Sequence, residues 1–271
     1  MLRWSAGEPA QVPYRMVSNG NNLRRYAALS LHMKAFGRSD VGRVRRRNED
    51  TMAVEPSQGI VVVADGMGGA PGGDVASALA VQEVVRGLHS GEGMEECVRR
   101  ANRRIQEMVQ TQPAFSGMGT TLTALKVSPG ACTYVLGHVG DSRAYLLSGE
   151  EFSQISRDHT MVRDMVDAGK IPASAEREHP LSHILSRALG TEPEVEVDLV
   201  EGSVVSGDCF LLCSDGLVKV MDEVEVEGWV RRAAAETLEE VVDAMVAEGN
   251  SRGAPDNITV AFLSVSGSPL P

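Results

Sequence analysis

The order in which apolar segments follow one another is what most constrains this chain's fold. Strand-like runs rich in Val, Ile, Leu and Thr lie at 60–65, 120–127, 132–139, 143–147, 195–200, 208–213 and 257–265. They are bounded by Gly, Pro, Ser or Asp, and several adjoin through tight turns. Helical patterns are also paired: Val75, Leu79, Val85 and Leu88 form one stripe, and Met94, Cys97, Ala101, Ile105 and Met108 the next. A further helix is expected near 237–249, opening on the capping box Thr237-Leu238-Glu239-Glu240 and turning Val241, Val242 and Met245 inward. A parallel sheet needs a helix between each strand and the next, whereas here strands neighbour strands. The pattern predicts an α+β fold with antiparallel sheets flanked by helices.

With 271 residues, 42% of them apolar, the chain can bury a substantial core as one domain. Aromatics are only 4%, so that core must rest on aliphatic side chains and Met. Residues 1–33 are expected to form a poorly ordered basic extension, 34–266 a single catalytic domain and 267–271 a tail. Met33 stands as a candidate alternative start. The stretch 157–190 is long and weakly patterned, with a short helix expected around Met161–Ala168.

Charge is distributed unevenly. Residues 1–47 hold ten Lys/Arg against two Asp/Glu, and the remainder sixteen against thirty-five. So acidic a body argues against nucleic-acid binding. The basic arm is a solvated segment or, for the arginines nearest Asn48-Glu49-Asp50, an attractor of anions. Cys97, Cys132, Cys209 and Cys213 have no C-x-x-C spacing and sit in apolar patterns, as free thiols of a reducing cytoplasm would. No apolar run is long enough to cross a bilayer, and no secretory signal opens the chain. The expectation is a cytoplasmic monomer with neither membrane nor nucleic-acid partners.

Chemistry enters with a repeated local pattern, an apolar strand that ends in an acid followed by glycine. Ile60–Ala64 runs into Asp65-Gly66-Met67-Gly68-Gly69, and Phe210–Ser214 into Asp215-Gly216. A carboxylate at the mouth of a buried strand loses water and takes up a proton unless something positive meets it. The glycine lets its own carbonyl approach as a further oxygen ligand. Either site alone can be an ordinary Asp-Gly turn. However, Asp256-Asn257 opens the strand 258–265, Gly140-Asp141-Ser142-Arg143 joins two strands, and Asn48-Glu49-Asp50 adds more oxygen donors. Such donors, without a His or Cys cluster, favour Mg2+, Mn2+ or Ca2+ over zinc. Two ions about 3.5–4 Å apart, bridged by one carboxylate, can activate a shared water for attack on phosphorus. A guanidinium is the cation best shaped to hold the phosphate oxygens.

These residues resemble the metal-dependent protein phosphatases of the protein phosphatase 2C type, particularly the bacterial serine/threonine phosphatases. The likeness runs from about Ser39 to Val265. It is carried in order by Ser39–Arg45 leading to Asn48-Glu49-Asp50, Asp65–Gly69, Met118-Gly119-Thr120-Thr121, Gly140–Arg143, Ser214-Asp215-Gly216-Leu217 and Asp256-Asn257-Ile258-Thr259. The resemblance implies a four-layer αββα sandwich, two antiparallel sheets between helical pairs. It also implies hydrolysis of phosphoserine and phosphothreonine in proteins by a metal-bridging hydroxide, reversing a Ser/Thr kinase. The phosphate clamp would be Arg45 and the bridging ligand Asp65, with the Gly66 carbonyl and Glu49 on one of two Mn2+ or Mg2+ ions. Asp215 and Asp256 would hold the other ion, supported by Asp50 and Asn257. Asp141, with Asp215, would bind a weaker third ion. The segment from Asp158-His159-Thr160 to Leu185–Gly190 would be a flap over the substrate. Many eukaryotic members carry histidine where this chain has Met67, and that histidine is thought to protonate the leaving alkoxide. Methionine cannot. A metal-bound water is the first replacement and His159 a distant second.

Other readings compete. Cys97 and Arg103 have the C-x5-R spacing of cysteine-dependent phosphatases, yet Cys97 lies on a helical apolar stripe after two glutamates. A phosphatase fold that only binds phosphoprotein or a regulator would usually have lost the acids. A structural calcium module would bind metal without turnover.

Overall fold

The computed structural model describes residues 29–67, 72–176 and 179–269. Numbered along the chain, its strands are β1 (Leu29–Asp40), β2 (Asp50–Glu55), β3 (Ile60–Met67), β4 (Gly119–Thr120), β5 (Leu122–Ser128), β6 (Thr133–Val139), β7 (Arg143–Ser148), β8 (Glu151–Gln154), β9 (Asp198–Ser203), β10 (Cys209–Cys213) and β11 (Ile258–Pro269). Its helices are α1 (Gly73–His89), α2 (Met94–Thr111), α3 (Met161–Asp167), α4 (Asp215–Val218), α5 (Glu223–Ala235) and α6 (Leu238–Ser251).

Two antiparallel sheets result, ordered β1-β11-β10-β7-β8 and β2-β3-β5-β6-β9, with β4 paired to β3. Period-two alternation explains how they stack. Ile60, Val62 and Ala64 of β3 pack with Ala80, Val84 and Val98 of α1 and α2, while Val61 and Val63 point the other way. Leu211 of β10 and Val260 and Phe262 of β11 pack with Val226, Val230 and Met245 of α5 and α6. The opposite faces, with Phe210, Leu212, Ala261 and Leu263, join Val61 and Val63 in a third core between the sheets. This is the four-layer αββα arrangement.

Several expectations need correcting. Residues 1–28 lie outside the described residues, but 29–33 belong to β1, paired with the end of β11. Residues 267–269, expected in a tail, are in that same ladder. Thr237 precedes α6 without a side-chain hydrogen bond; the capping box belongs to α5, where Asp222 and Glu225 cap each other. The run 120–127 is interrupted because the Thr121 side chain accepts the Asp65 amide proton (2.9 Å) in place of a backbone carbonyl. The register continues through it, with Val63 opposite Thr123 and Gly66 opposite Thr120. Among the described residues no helix is long and apolar enough to cross a membrane.

The stretch 157–190 carries α3, capped by Thr160. Its ends are tied back by bridges from Thr160 to Leu185 and from Thr120 to Leu189.

Candidate active site

The acids gather at one end of the sandwich because the strands that carry them end there. Asp50, first in β2, pairs across the ladder with Asp65. Asp215 follows β10 and begins α4, so the second strand-acid-glycine repeat turns into a helix, whereas the first continues as strand through Met67. Asp256 precedes β11, and Asp141 sits in the turn between β6 and β7. One cleft of about 460 Å³ is lined by Arg45, Glu49, Asp65, Gly66, Asp141, Asp215, Asp256 and Asn257, so the structure brings together every candidate residue except Asp50, which lies behind Asp65.

Close backbone approach builds this floor. A Cβ on Gly66 would meet the Gly73 carbonyl oxygen at 2.1 Å and that of Glu49 at 2.6 Å. On Gly216 it would meet the Asn257 carbonyl oxygen at 1.9 Å. Neither position has room for any side chain.

Asn257 is committed to the backbone. Its Oδ1 accepts from the Glu49 amide (2.8 Å), and its Nδ2 donates to the carbonyls of Val41 and Arg47, both 2.9 Å. It therefore anchors the loop bearing Arg45 and Glu49, and its side-chain oxygen is already spent. Asp50 is also mostly satisfied on one side, with Oδ2 accepting from Ser214 (2.7 Å) and Thr259 (2.6 Å).

The electrostatics of the floor are unfavourable for the chain alone. Burial first, then the charges of Asp50, Asp215 and Asp141, push the Asp65 carboxyl well above the usual carboxylate range. Burial and the neighbouring Asp215 raise Asp141 to about 8. Burial raises Asp50 to about 6 against the bonds from Thr259 and Ser214. Oδ1 of Asp50 and Oδ1 of Asp215 are buried without a hydrogen-bond partner. Orphaned oxygens among repelling carboxyls are what a hard cation would relieve. Hence the residues present fit divalent metal.

Two cations of the chain take part of that role. Arg45 grips Asp256 with two parallel contacts, Nε to Oδ1 at 2.8 Å and Nη2 to Oδ2 at 2.9 Å. Lys219, one helical turn after Asp215, places Nζ 2.6 Å from Asp215 Oδ2 and 2.8 Å from Asp256 Oδ2. Burial raises the Asp256 pKa, but the bond and charge of Lys219 and the bond from Arg45 outweigh it and hold the carboxyl below its usual value. Among the described residues no three His, Cys, Asp or Glu side chains are already closed around one point.

Sequence reasoning missed Lys219, although its spacing of four from Asp215 is visible in the helix-like run Leu217-Val218-Lys219. Thr121, named there within a motif but given no role, fixes Asp65 twice: the Thr121 hydroxyl accepts from the Asp65 amide, and the Thr121 amide donates to the Asp65 carbonyl (2.9 Å). His159 is corrected as a proton donor. It is fully buried behind Gly140, with Nδ1 accepting from the Gly140 amide (3.0 Å) and Nε2 facing Asp198 (3.1 Å). Met67 lines the cleft, as does His183 from the 157–190 segment. Gly68 and Gly69 lie outside the described residues. Cys97 is buried, and burial raises its thiol pKa, so the C-x5-R reading has no thiolate to use.

The model of the family described as protein phosphatase 2C matches residues 42–252. The serine/threonine phosphatase Stp of Listeria monocytogenes is 38% identical over 244 residues, which are 85% of this chain and 95% of that protein. The serine/threonine protein phosphatase PstP of Mycobacterium tuberculosis is 36% identical over 246 residues, 88% of this chain and 46% of that longer protein. The crystal structure of the PstP catalytic domain with two manganese ions aligns with a TM-score of 0.77 at 33% identity, covering 87% of this chain and 99% of that one. The chain belongs to the protein phosphatase 2C family, in its bacterial serine/threonine phosphatase branch, and is a metal-dependent protein phosphatase.

Proposed function

We propose that the cleft hydrolyses phosphoserine and phosphothreonine in proteins by a single in-line displacement, with Arg45 holding the phosphoryl oxygens and Asp65 positioning the attacking water. The observation that carries this reading is the juxtaposition, in one cleft, of the half-buried carboxyls of Asp65, Asp141 and Asp215 with a guanidinium at the rim. Bound divalent ions supply the positive charge that acidifies water and offsets the charge of the phosphoryl group.

The chain's own residues divide the remaining work. Asp65, the Gly66 carbonyl and Glu49 would hold one ion, and Asp215 and Asp256 the other. Asp141 with Asp215 would take a weaker third ion. Asp50 and Asn257 act from behind, Asp50 through Asp65 and Asn257 through the loop that carries Glu49. Mn2+ and Mg2+ both suit this all-oxygen set. Arg45 is held ready by Asp256 in bidentate geometry, the same fork that two phosphoryl oxygens would fill. Met67 offers no proton, so the leaving alkoxide takes its proton from water. The segment 157–190 reaches the cleft through His183, Ile184 and Leu185 and shapes the entry of the phosphoprotein.

We further infer a monomeric cytoplasmic enzyme, one catalytic domain that includes β1 and β11 to their ends at residues 29 and 269, acting on a Ser/Thr kinase or that kinase's targets. Hydrolysis of p-nitrophenyl phosphate with Mn2+, with and without chelator, tests the central reading. Turnover is expected only with metal, and activity that survives chelation would refute it.

A further inference from the structure

Lys219 is a charged member of the cleft that neither the carboxylate pattern nor the phosphate clamp explains. As a partner of Asp215 alone it would be an ordinary pair one helical turn apart, worth little at a surface. Its ammonium also reaches Asp256, thirty-seven residues on, and there it meets Arg45 on the same atom. Asp256 Oδ2 accepts from Lys219 Nζ at 2.8 Å and from Arg45 Nη2 at 2.9 Å. An anionic oxygen held at once by an ammonium and a guanidinium is in the position a phosphoryl oxygen takes in a two-cation site. The Lys219 side chain is 36% exposed, so it has somewhere to go. It lines both the cleft with Asp65 and an adjoining groove of about 400 Å³ with Glu176, Ser182 and His183.

We propose that Lys219 is a second phosphate-binding cation, held by Asp215 and Asp256 until a divalent ion takes those carboxylates, so that metal loading and phosphate binding are coupled through one side chain. This rests on Asp215 and Asp256 being metal ligands, as proposed above. The coupling has opposite signs in its two steps. Without metal, the ammonium neutralises the aspartates and competes with the incoming ion. With metal in place, the carboxylates are engaged elsewhere, and the freed ammonium, tethered beside Arg45, adds a positive charge where the phosphate arrives.

The test is a pair of calorimetric titrations on the full chain. Mn2+ is titrated into metal-free protein, and inorganic phosphate into Mn2+-loaded protein, for the wild type, Lys219→Met and Asp256→Asn. Lys219→Met keeps the apolar stem and removes the charge. It is expected to bind Mn2+ more tightly and phosphate more weakly, each on the order of tenfold. A merely structural lysine would weaken both together, and that result overturns the proposal, as does no change in either affinity or a gain for Mn2+ without a loss for phosphate. Lys219→Gln carries the same expectations should the methionine variant not fold. Asp256→Asn is the control for the underlying site and should lose Mn2+ binding. If it binds Mn2+ like the wild type, the ligand assignment fails and takes the proposal with it. If it loses Mn2+ while Lys219→Met behaves as wild type, only the role of Lys219 falls.

Discussion

Two clusters of titratable groups, one half-buried and one buried, flank the Gly140-Asp141 turn, and they are built on opposite principles. On the cleft side, Asp65, Asp141 and Asp50 have carboxyls forced upward by burial and by neighbouring carboxylates, Asp215 acting on all three, and one oxygen each of Asp50 and Asp215 lacks a partner. On the other side lie His138 and His159, their ring centres 4.9 Å apart. There every ring nitrogen has a partner. His138 Nε2 can only donate to the Arg157 carbonyl (2.9 Å), so Nδ1 accepts from the Thr123 hydroxyl (2.9 Å). His159 Nδ1 accepts from the Gly140 amide, which leaves the Nε2 proton for Asp198. A buried polar cluster that the chain completes by itself is scaffold. One that it leaves incomplete is addressed to something from outside.

The contrast can be broken at either side. Asp65→Asn is expected to cut kcat about 1,000-fold while leaving the metal-free fold at least as stable as before, since it removes a carboxyl whose burial the chain does not offset. Phosphatase assays paired with urea unfolding in chelator would check this, and a collapse of stability would make Asp65 part of the scaffold.

The histidine side should respond to acid instead. Burial, and then His159, lower the pKa of His138 to about 4 from its ordinary 6.5, so the unfolded chain takes the proton first. The stabilising contribution is complete above about pH 6.5 and is lost as pH falls towards about 4, amounting to about 3 kcal/mol. Urea midpoints across that window should show the loss, and His138→Gln should remove most of it.

Arg45 sharpens the comparison because its partner, Asp256, is held below its usual pKa, opposite in direction to Asp65 and Asp141. Arg45→Ala is expected to raise KM about tenfold with kcat nearly kept. A fall confined to kcat would place the guanidinium's contribution in the transition state.

Legibility in the sequence followed the same divide. The strands of the inner core announce themselves because both faces are buried, as in Ile60–Ala64 and Phe210–Cys213. β2 did not, since Thr51 to Glu55 are only half-buried and carry no strong apolar run. β1 was hidden in part by polar residues and by Gly37, whose missing side chain lets Ala261 approach. α5 turns only Val226, Val230 and Ala233 inward, too thin a stripe to stand out among its glutamates. In the cleft, the acids were readable because each sits at or within two residues of a strand end, beside or next but one to a glycine or asparagine. Thr121, His138 and His159 were not, because their roles are set by partners between fifteen and fifty-six residues away.

The long ladder between β1 and β11 constrains how the molecule is made. β11, the last strand, lies between β1 and β10, with Asp40 opposite Ile258 and Met33 opposite Val265. The sheet of β2, β3, β5 and β6 can pair from segments near one another in sequence, but its partner sheet must wait until residues 258–269 have left the ribosome. Asp256 arrives at the same moment, just ahead of β11. The catalytic cleft therefore forms only after β11 has emerged, and a nascent chain released before it carries most of the acids but not the geometry that uses them.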